Sequence, residues 1–347
     1  MKKMKVNRVE RHIIYSKNPY YKMLDEYCFK SKNLYNFANY QIRQKFCKEG
    51  QYLSYNEMDK LLKQKGMDFD YRNMPTAQSS QQILRLLDKN WKSFFKAIKD
   101  WSKHKDKYTG RPKIPNYLPK NGRYELILTN CNCKLKDGVI HFPRSFNGFT
   151  LNTKTNNLQQ VRILPRYNHI VIEVVYRVEA PEMKEDNGKY ISIDIGLDNF
   201  ATISNNIGEN PIILNGKGLK SINQYYNKQI SHYREIAKRM NNLDYTNRMN
   251  KLTTKRNNKV NDFIHKVSKW VVDYALSIDV NTIVIGYNKD WKRGSELGKR
   301  INQSFVGIPH QDFINKIICK AENVGIKVIL TEESYTSGTS FLDGELP

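Results

Sequence analysis

The stretch YISIDIGLDNFATISNN, Tyr190 to Asn206, decides how the second half of the chain reads. Isoleucines recur at every second position from Ile191, Asp194 sits at the end of the run, and Gly196 follows at once. A second alternating run covers Phe200 to Ile203. Period-two alternation on both sides of a glycine turn predicts a β-hairpin with a carboxylate in its first strand. One carboxylate holds a divalent cation weakly and cannot run a metal-dependent hydrolysis alone, so what Asp194 does depends on its partners.

Downstream, the pattern predicts a third short strand near PIILNG and a long helical region from about Lys217 to Ser277. A strand NTIVIG, a helix from about Pro309 to Asn323 and a strand KVILTEE follow. Strands alternating with helices imply a mixed α/β sheet. A first-strand aspartate beside a glycine turn is the arrangement of a ribonuclease-H-like nuclease. In that chemistry acidic side chains bridge two divalent ions about 4 Å apart, one activating water and the other stabilising the leaving oxygen.

Upstream, the first third is helical. In TAQSSQQILRLLDKNWKSFFKAIKDW the residues Ile83, Leu87, Trp91, Phe94, Ile98 and Trp101 recur at steps of three and four, a stripe that belongs to a core. Lys92, Lys96, Lys99 and Lys103 follow the same period on the neighbouring face, a row of ammonium groups suited to phosphate. Pro75 is predicted to open this helix. Gln78, Gln82 and Arg85 project from its first turns, and amide and guanidinium groups pair bidentately with adenine and guanine edges in a major groove. The connector KHKDKYTGRPKIPNYLPK, with Arg111 and Lys113, cannot continue a helix. Beyond it GRYELILTN, CKLKDGVIHFP and QVRILPRYNHIVIEVVYRVEA read as strands turning at Asp137-Gly138 and near Asn168-His169, a small β-barrel or curled sheet. A polar spacer, PEMKEDNGK, leads to the opening stretch.

The chain has 347 residues, enough for two or three domains, and 58 Lys and Arg against 34 Asp and Glu give a net charge of +24. Self-repulsion on that scale is relieved by a polyanion, and nucleic acid fits better than a membrane surface because the basic residues are spread along the whole chain. No stretch is apolar enough to span a bilayer and the N-terminus lacks the apolar block of a signal peptide, so a cytoplasmic, nucleoid-associated protein is expected. Five scattered cysteines argue against a disulfide framework. The Cys131/Cys133 pair is one residue apart and has no second pair to complete a zinc site, so no zinc is expected.

Taken together, SIDIGLDNFATIS, GKGLKSINQYYNKQI, KRNNKVNDFIHKVSKWVV, TIVIGYNKDWK, GKRINQSFVGIPHQDFINKI and VILTEESYTSGTSFLDG resemble the TnpB (OrfB) family of transposon-encoded, RNA-guided nucleases. GRPKIPNY and QSSQQILRLLDKNWKSFFKAIKDW resemble its N-terminal half, so the likeness runs along nearly the whole chain in family order. The resemblance implies a multidomain α+β protein. Residues 1–14 and 110–186 would form a wedge β-barrel, 15–109 an inserted helical recognition domain, and 187–347 an RNase-H-like (RuvC) domain. It implies a guide RNA that pairs with double-stranded target DNA beside a short flanking motif, read on the helix bearing Gln78, Gln82 and Arg85. Arg256, Lys259, His265 and Lys269, spaced along one long helix, and Lys299, Arg300, Asn302 and Gln303 in the segment GKRINQSFVGIP are further candidates for nucleic-acid backbone contact.

The departures from the family pattern concern the acids. The strand TIVIGYN carries Gly286 where the family places a catalytic glutamate, and a related branch with the same glycine relocates that acid to the last strand, here Glu332 or Glu333. The two are adjacent, so strand alternation directs only one toward Asp194. The family's zinc ribbon is absent, and Asp343 and Glu345 do not replace the third acid of its terminal segment. The resemblance then implies an incomplete site at which Mg²⁺ is weakly held, and guide-directed DNA binding that represses transcription by occupying its target. An active Mg²⁺-dependent, RNA-guided endonuclease whose C-terminal catalytic segment is missing from this chain or supplied separately, and a decayed transposon remnant, are the alternatives.

Overall fold

The computed structural model describes residues 5–64, 69–287 and 307–332, and these fall into two units divided after Val178. In the first unit, strand β1 (Lys5–Tyr15) precedes helices α1 (Tyr21–Glu49), α2 (Tyr55–Leu62), α3 (Phe69–Arg72) and α4 (Ala77–Lys103). Strands β2 (Leu126–Thr129), β3 (Lys134–Lys136), β4 (Val139–His141), β5 (Thr150–Asn152), β6 (Leu158–Pro165) and β7 (His169–Glu179) follow. α1 stops at Gly50, whose φ of 67° is the left-handed conformation that closes a helix, its N–H bonding to the Phe46 carbonyl. The predicted role of Pro75 shifts by two residues. Thr76 is the N-cap, its hydroxyl accepting from the Ser79 N–H at 3.1 Å while the Ser79 hydroxyl accepts from the Thr76 N–H, and Pro75 stands outside the helix.

The predicted barrel does not close among the described residues. β1, β7, β6 and β2 form an open four-stranded sheet in that order, and β3, β4 and β5 pair with one another in a separate three-stranded sheet. The register shows why closure is not needed. Leu126, Ile163 and Ile172 lie level across three strands, as do Leu128, Val161 and Val174, so β2, β6 and β7 present an apolar surface on one side. Those residues share a single core with Leu34, Ile83, Leu87 and Trp91 of the helices. Helices cover the face that a barrel would have folded onto itself. The hairpin turn predicted at Asp137-Gly138 is present, with φ of 51° and 73° joining β3 to β4.

The second unit holds a five-stranded mixed sheet of β8 (Tyr190–Asp194), β9 (Asn199–Asn205), β10 (Ile212–Asn215), β11 (Thr282–Gly286) and β12 (Lys327–Thr331), in the order β10-β9-β8-β11-β12. β8, β9 and β10 are antiparallel neighbours, whereas β11 runs parallel to both β8 and β12. The helices are α5 (Lys217–Asn241), α6 (Asn247–Ser277) and α7 (His310–Glu322). The single helical region predicted from 217 to 277 is therefore two helices. Asn242 takes a φ of 50° and ends α5, and Thr246 caps α6 by accepting from the Met249 N–H. Ile264, Val271 and Ala275 of α6 and Phe313 and Ile317 of α7 share one core with Ile191, Ile193, Ile283 and Ile285 of the sheet. The polar spacer is tied down: the Lys184 N–H bonds to the Gly325 carbonyl at 2.8 Å, and Asn281 donates to the Glu185 carbonyl at 2.9 Å. Among the described residues no helix is long and apolar enough to cross a membrane.

Candidate nucleic-acid interface and acidic centre

The basic face of α4 is built by its apolar stripe. Ile83, Leu87 and Trp91 are fully buried, which fixes the rotation of the helix and turns the lysine row outward. Within that row the residues differ. Lys92 pairs with Asp88 at 2.7 Å, and Asp88 also accepts from the Tyr52 hydroxyl at 2.8 Å and the Tyr55 N–H at 3.0 Å. Burial alone would raise the Asp88 carboxyl, but those three donors outweigh it and hold the carboxyl below its usual range. Lys96, Lys99 and Lys103 are exposed and have no ion-pair partner among the described residues. They continue into a strip that sequence reading left incomplete: Lys105 lies 5.4 Å from the Trp101 ring and Arg111 lies 5.9 Å from the same ring, with Lys113 exposed beyond.

The proline-rich connector carrying Arg111 and Lys113 has few N–H groups of its own, so α1 supplies side chains to hold it. Asn36 bonds both ways with Leu118, donating to its carbonyl at 2.9 Å and accepting from its N–H at 2.8 Å. Asn39 and Arg43 both donate to the Pro115 carbonyl, at 3.0 and 3.1 Å. The strip is thus a fixed array and not a loose tail.

Of the three predicted base readers, Gln78 is half-buried and its amide oxygen accepts from the Thr129 hydroxyl at the end of β2. Its NH₂ has no acceptor among the described residues. Gln82, one turn further on, is half-buried, and Arg85 is exposed with its guanidinium 4.6 Å over the Tyr55 ring.

In the second unit the basic residues predicted along α6 also divide. Arg256 donates from Nε to Asn223 at 2.8 Å, from Nη1 to Asn257 at 3.0 Å and from Nη2 to the Gly307 carbonyl at 2.5 Å. Burial lowers its pKa, opposed by Tyr226. Its guanidinium is a structural clamp. Lys269 is paired with Asp273 at 2.8 Å. The His265 carbonyl accepts from Lys320 at 2.6 Å, and its ring is on an exposed position of α6. Lys259 is exposed with no ion-pair partner among the described residues. Lys299, Arg300, Asn302 and Gln303 lie outside the described residues.

Asp194 closes β8 on the face opposite buried Ile191 and Ile193, and is exposed. Across β9 it faces Thr202. The parallel register pairs Ile193 with Ile285, which brings Gly286 level with Asp194, and Gly286 is in turn paired with Thr331. Glu332 follows Thr331 as an exposed residue, and Glu333 lies outside the described residues. The turn after Asp194 needs its glycine, since a Cβ at Gly196 would stand 2.5 Å from the Asn199 carbonyl oxygen. Two contacts that sequence reading missed hold this turn. Buried His310 at the start of α7 places Nε2 3.2 Å from the Gly196 carbonyl and stacks on Phe200, and Lys220 binds Asp198 at 2.7 Å. A proline followed by a histidine was the only signal, and it named no partner.

Among the described residues no group of three or more His, Cys, Asp or Glu could hold a metal ion. Level with Asp194 across the sheet stand Thr202, Gly286 and Thr331, a donor set with one carboxylate. Those residues do not fit a two-ion centre, which needs acids bridging both ions.

The family described as "OrfB_IS605: Probable transposase" matches residues 173–292. Among solved structures the chain is similar to a Cas12f1–sgRNA–target DNA complex at 13% identity, over 96% of this chain and 87% of that one, with a TM-score of 0.34. It is similar to a CRISPR-Cas12f ternary complex at 11% identity, over 90% and 71% of the two chains, with a TM-score of 0.33. For a Cas12i1 R-loop complex the figures are 11%, 54% and 31%, with a TM-score of 0.34. No curated protein matches the sequence.

Proposed function

We propose, for a chain whose residues 173–292 carry the OrfB (TnpB) transposase family signature, that it binds double-stranded DNA under the direction of a guide RNA and leaves it uncut. Target occupancy then represses transcription. On this reading residues 1–14 and 110–186 form the wedge, 15–109 the recognition helices, and 187–347 a RuvC-like domain. The observation that carries the loss of cutting is the register of β8 and β11, in which Gly286 stands level with Asp194. A glycine has no carboxylate to share a metal with Asp194, and without acids on both ions the attacking and leaving oxygens are not clamped together.

The binding half of the proposal is supported by charge placement. A net charge of +24 and a fixed strip of Lys96, Lys99, Lys103, Arg111 and Lys113 suit a phosphate backbone. Gln82 and Arg85, with the NH₂ of Gln78, supply donors for base edges in the flanking duplex at the start of the same helix.

The test is purification of the chain from cells carrying the DNA around its own gene, followed by sequencing of bound RNA. Binding of matched and mismatched duplexes is then measured across salt. A single co-purified RNA species, and binding that requires a target matched to it, are expected. Gln82→Ala should relax preference at one position of the flanking motif. Protein free of RNA, with a flat salt dependence, would overturn the proposal.

A further inference from the structure

The groove between α5 and α6 belongs to neither the α4 strip nor the Asp194 centre. It is a cleft of about 350 Å³, near the lower end of the size range in which small ligands are held. Ile222 and Leu252 are apolar parts of its lining. Tyr226 is held in its wall, with its hydroxyl 3.1 Å from that of Thr253 and its ring 5.7 Å from the Arg256 guanidinium. Arg256 is itself fixed by three hydrogen bonds, so that wall is rigid. Tyr225 is different: 62% exposed, with no partner among the described residues. Lys255 and Lys259, one helical turn apart on α6, also line the cleft, are exposed, and have no ion-pair partner among the described residues.

A concave aromatic and apolar surface flanked by two unneutralised ammonium groups is complementary to one planar base joined to one phosphate. We propose that this cleft takes a single nucleotide of an unpaired nucleic-acid strand, its base stacked on Tyr225 against Ile222 and Leu252, its phosphate between Lys255 and Lys259. A base inside a duplex has both faces covered and cannot enter, so the ligand is single-stranded. Any base presents a π-face, so the site selects for strandedness and not for sequence. The inference rests on the nucleic-acid-binding part of the function proposed above. It does not depend on whether a guide directs that binding.

The experiment uses the full 347-residue chain and short single-stranded probes in three forms: ribo-, deoxyribo-, and deoxyribo- with abasic sites. A 2-aminopurine in the base-bearing probes reports stacking. Affinity for base-bearing probes should fall about 5- to 100-fold in Tyr225→Ala and stay near the wild-type value in Tyr225→Phe. The 2-aminopurine quench should vanish in Tyr225→Ala, and affinity for the abasic probe should not change. Lys255→Ala combined with Lys259→Ala should make the log–log salt slope shallower by about 0.7, the share of one phosphate on a single strand. The tighter of the ribo- and deoxyribo-probes identifies the strand held. If Tyr225→Ala binds and quenches like the wild type, the cleft is not a stacking site and the inference falls, with nucleic-acid binding untouched. If the wild type binds neither these probes nor, together with its co-purified RNA, a matched duplex, the inference and the function proposed above fall together. Tyr225 is exposed, so thermal melting of the variant should match the wild type, and loss of fold is separable from loss of stacking.

Discussion

Lys92 and Lys96 sit one turn apart on the same face of α4, and sequence periodicity treats them as equals. Their surroundings do not. Lys92 neutralises Asp88, which also receives two hydrogen bonds from the α2 end of the chain, whereas Lys96 faces solvent. Lys96→Ala is therefore expected to weaken nucleic-acid binding for all sequences alike and to leave melting unchanged. Lys92→Ala should lower stability by about 1 kcal/mol, near the upper end for an ion pair whose cation is exposed, because Asp88 keeps its Tyr52 and Tyr55 donors. Asp88→Asn should cost more, because the buried amide must replace a carboxylate serving three donors. The depressed Asp88 pKa also sets a direction in pH. A carboxyl whose folded pKa lies below its ordinary value of 3.8 contributes its full stability above that value and loses it as pH falls toward the folded one. Acid titration of the melting temperature should therefore show a decline below about pH 4 that is smaller in Asp88→Asn. Equal acid sensitivity in the two proteins would remove this account.

At the scale of elements, alternation and amphipathic periodicity were enough to place most strands and helices, including the Asp194 hairpin and α4. They failed where pairing is non-local. The Asp137-Gly138 turn announces the β3–β4 hairpin, but nothing in those segments says that β5 joins it and leaves β2 as a sheet edge, and a run of helix-compatible residues does not announce the left-handed Asn242 that splits α5 from α6. The candidate site shows the same limit. Asp194 was legible because a carboxylate stands on the polar phase at the end of an alternating strand, beside a glycine turn, but Arg256 looked like a phosphate contact because composition cannot reveal that Asn223 and Gly307 already engage it. That engagement is testable. Arg256→Ala leaves the Asn223 amide oxygen without its donor and the Gly307 carbonyl with only the 3.3 Å bond from the Asn223 NH₂, and should cost about 1–3 kcal/mol. Arg256→Lys should recover little, because an ammonium cannot reproduce the planar fork. A melting temperature unchanged in Arg256→Ala would return the residue to the list of nucleic-acid contacts.

At the scale of the whole molecule, a chain with a net charge of +24 and a five-stranded mixed sheet around Asp194 can hold a polyanion whether or not it cuts one. The two capacities separate because binding scales with the number of ammonium and guanidinium groups that meet phosphate, whereas cutting depends on two or three carboxylates placed within one metal-bridging distance. Among the described residues Asp194 has Gly286 and Thr331 level with it, and one carboxylate, even joined by a second from Glu332 or Glu333, holds with water ligands a single, weakly bound Mg²⁺. The expected result of a guided cleavage assay in Mg²⁺ and in Mn²⁺ is tight, guide-dependent binding with the target intact. Asp194→Ala should bind equally well or slightly better, since removing an acid near phosphates lessens repulsion. Guide-dependent cutting by the native chain that disappears in Asp194→Ala would reverse the conclusion. It would direct attention to Glu332 and Glu333, which follow Thr331 in the sequence, as the two sources of an acid that completes the centre, and either Glu332→Gln or Glu333→Gln would then abolish cutting without loss of target binding.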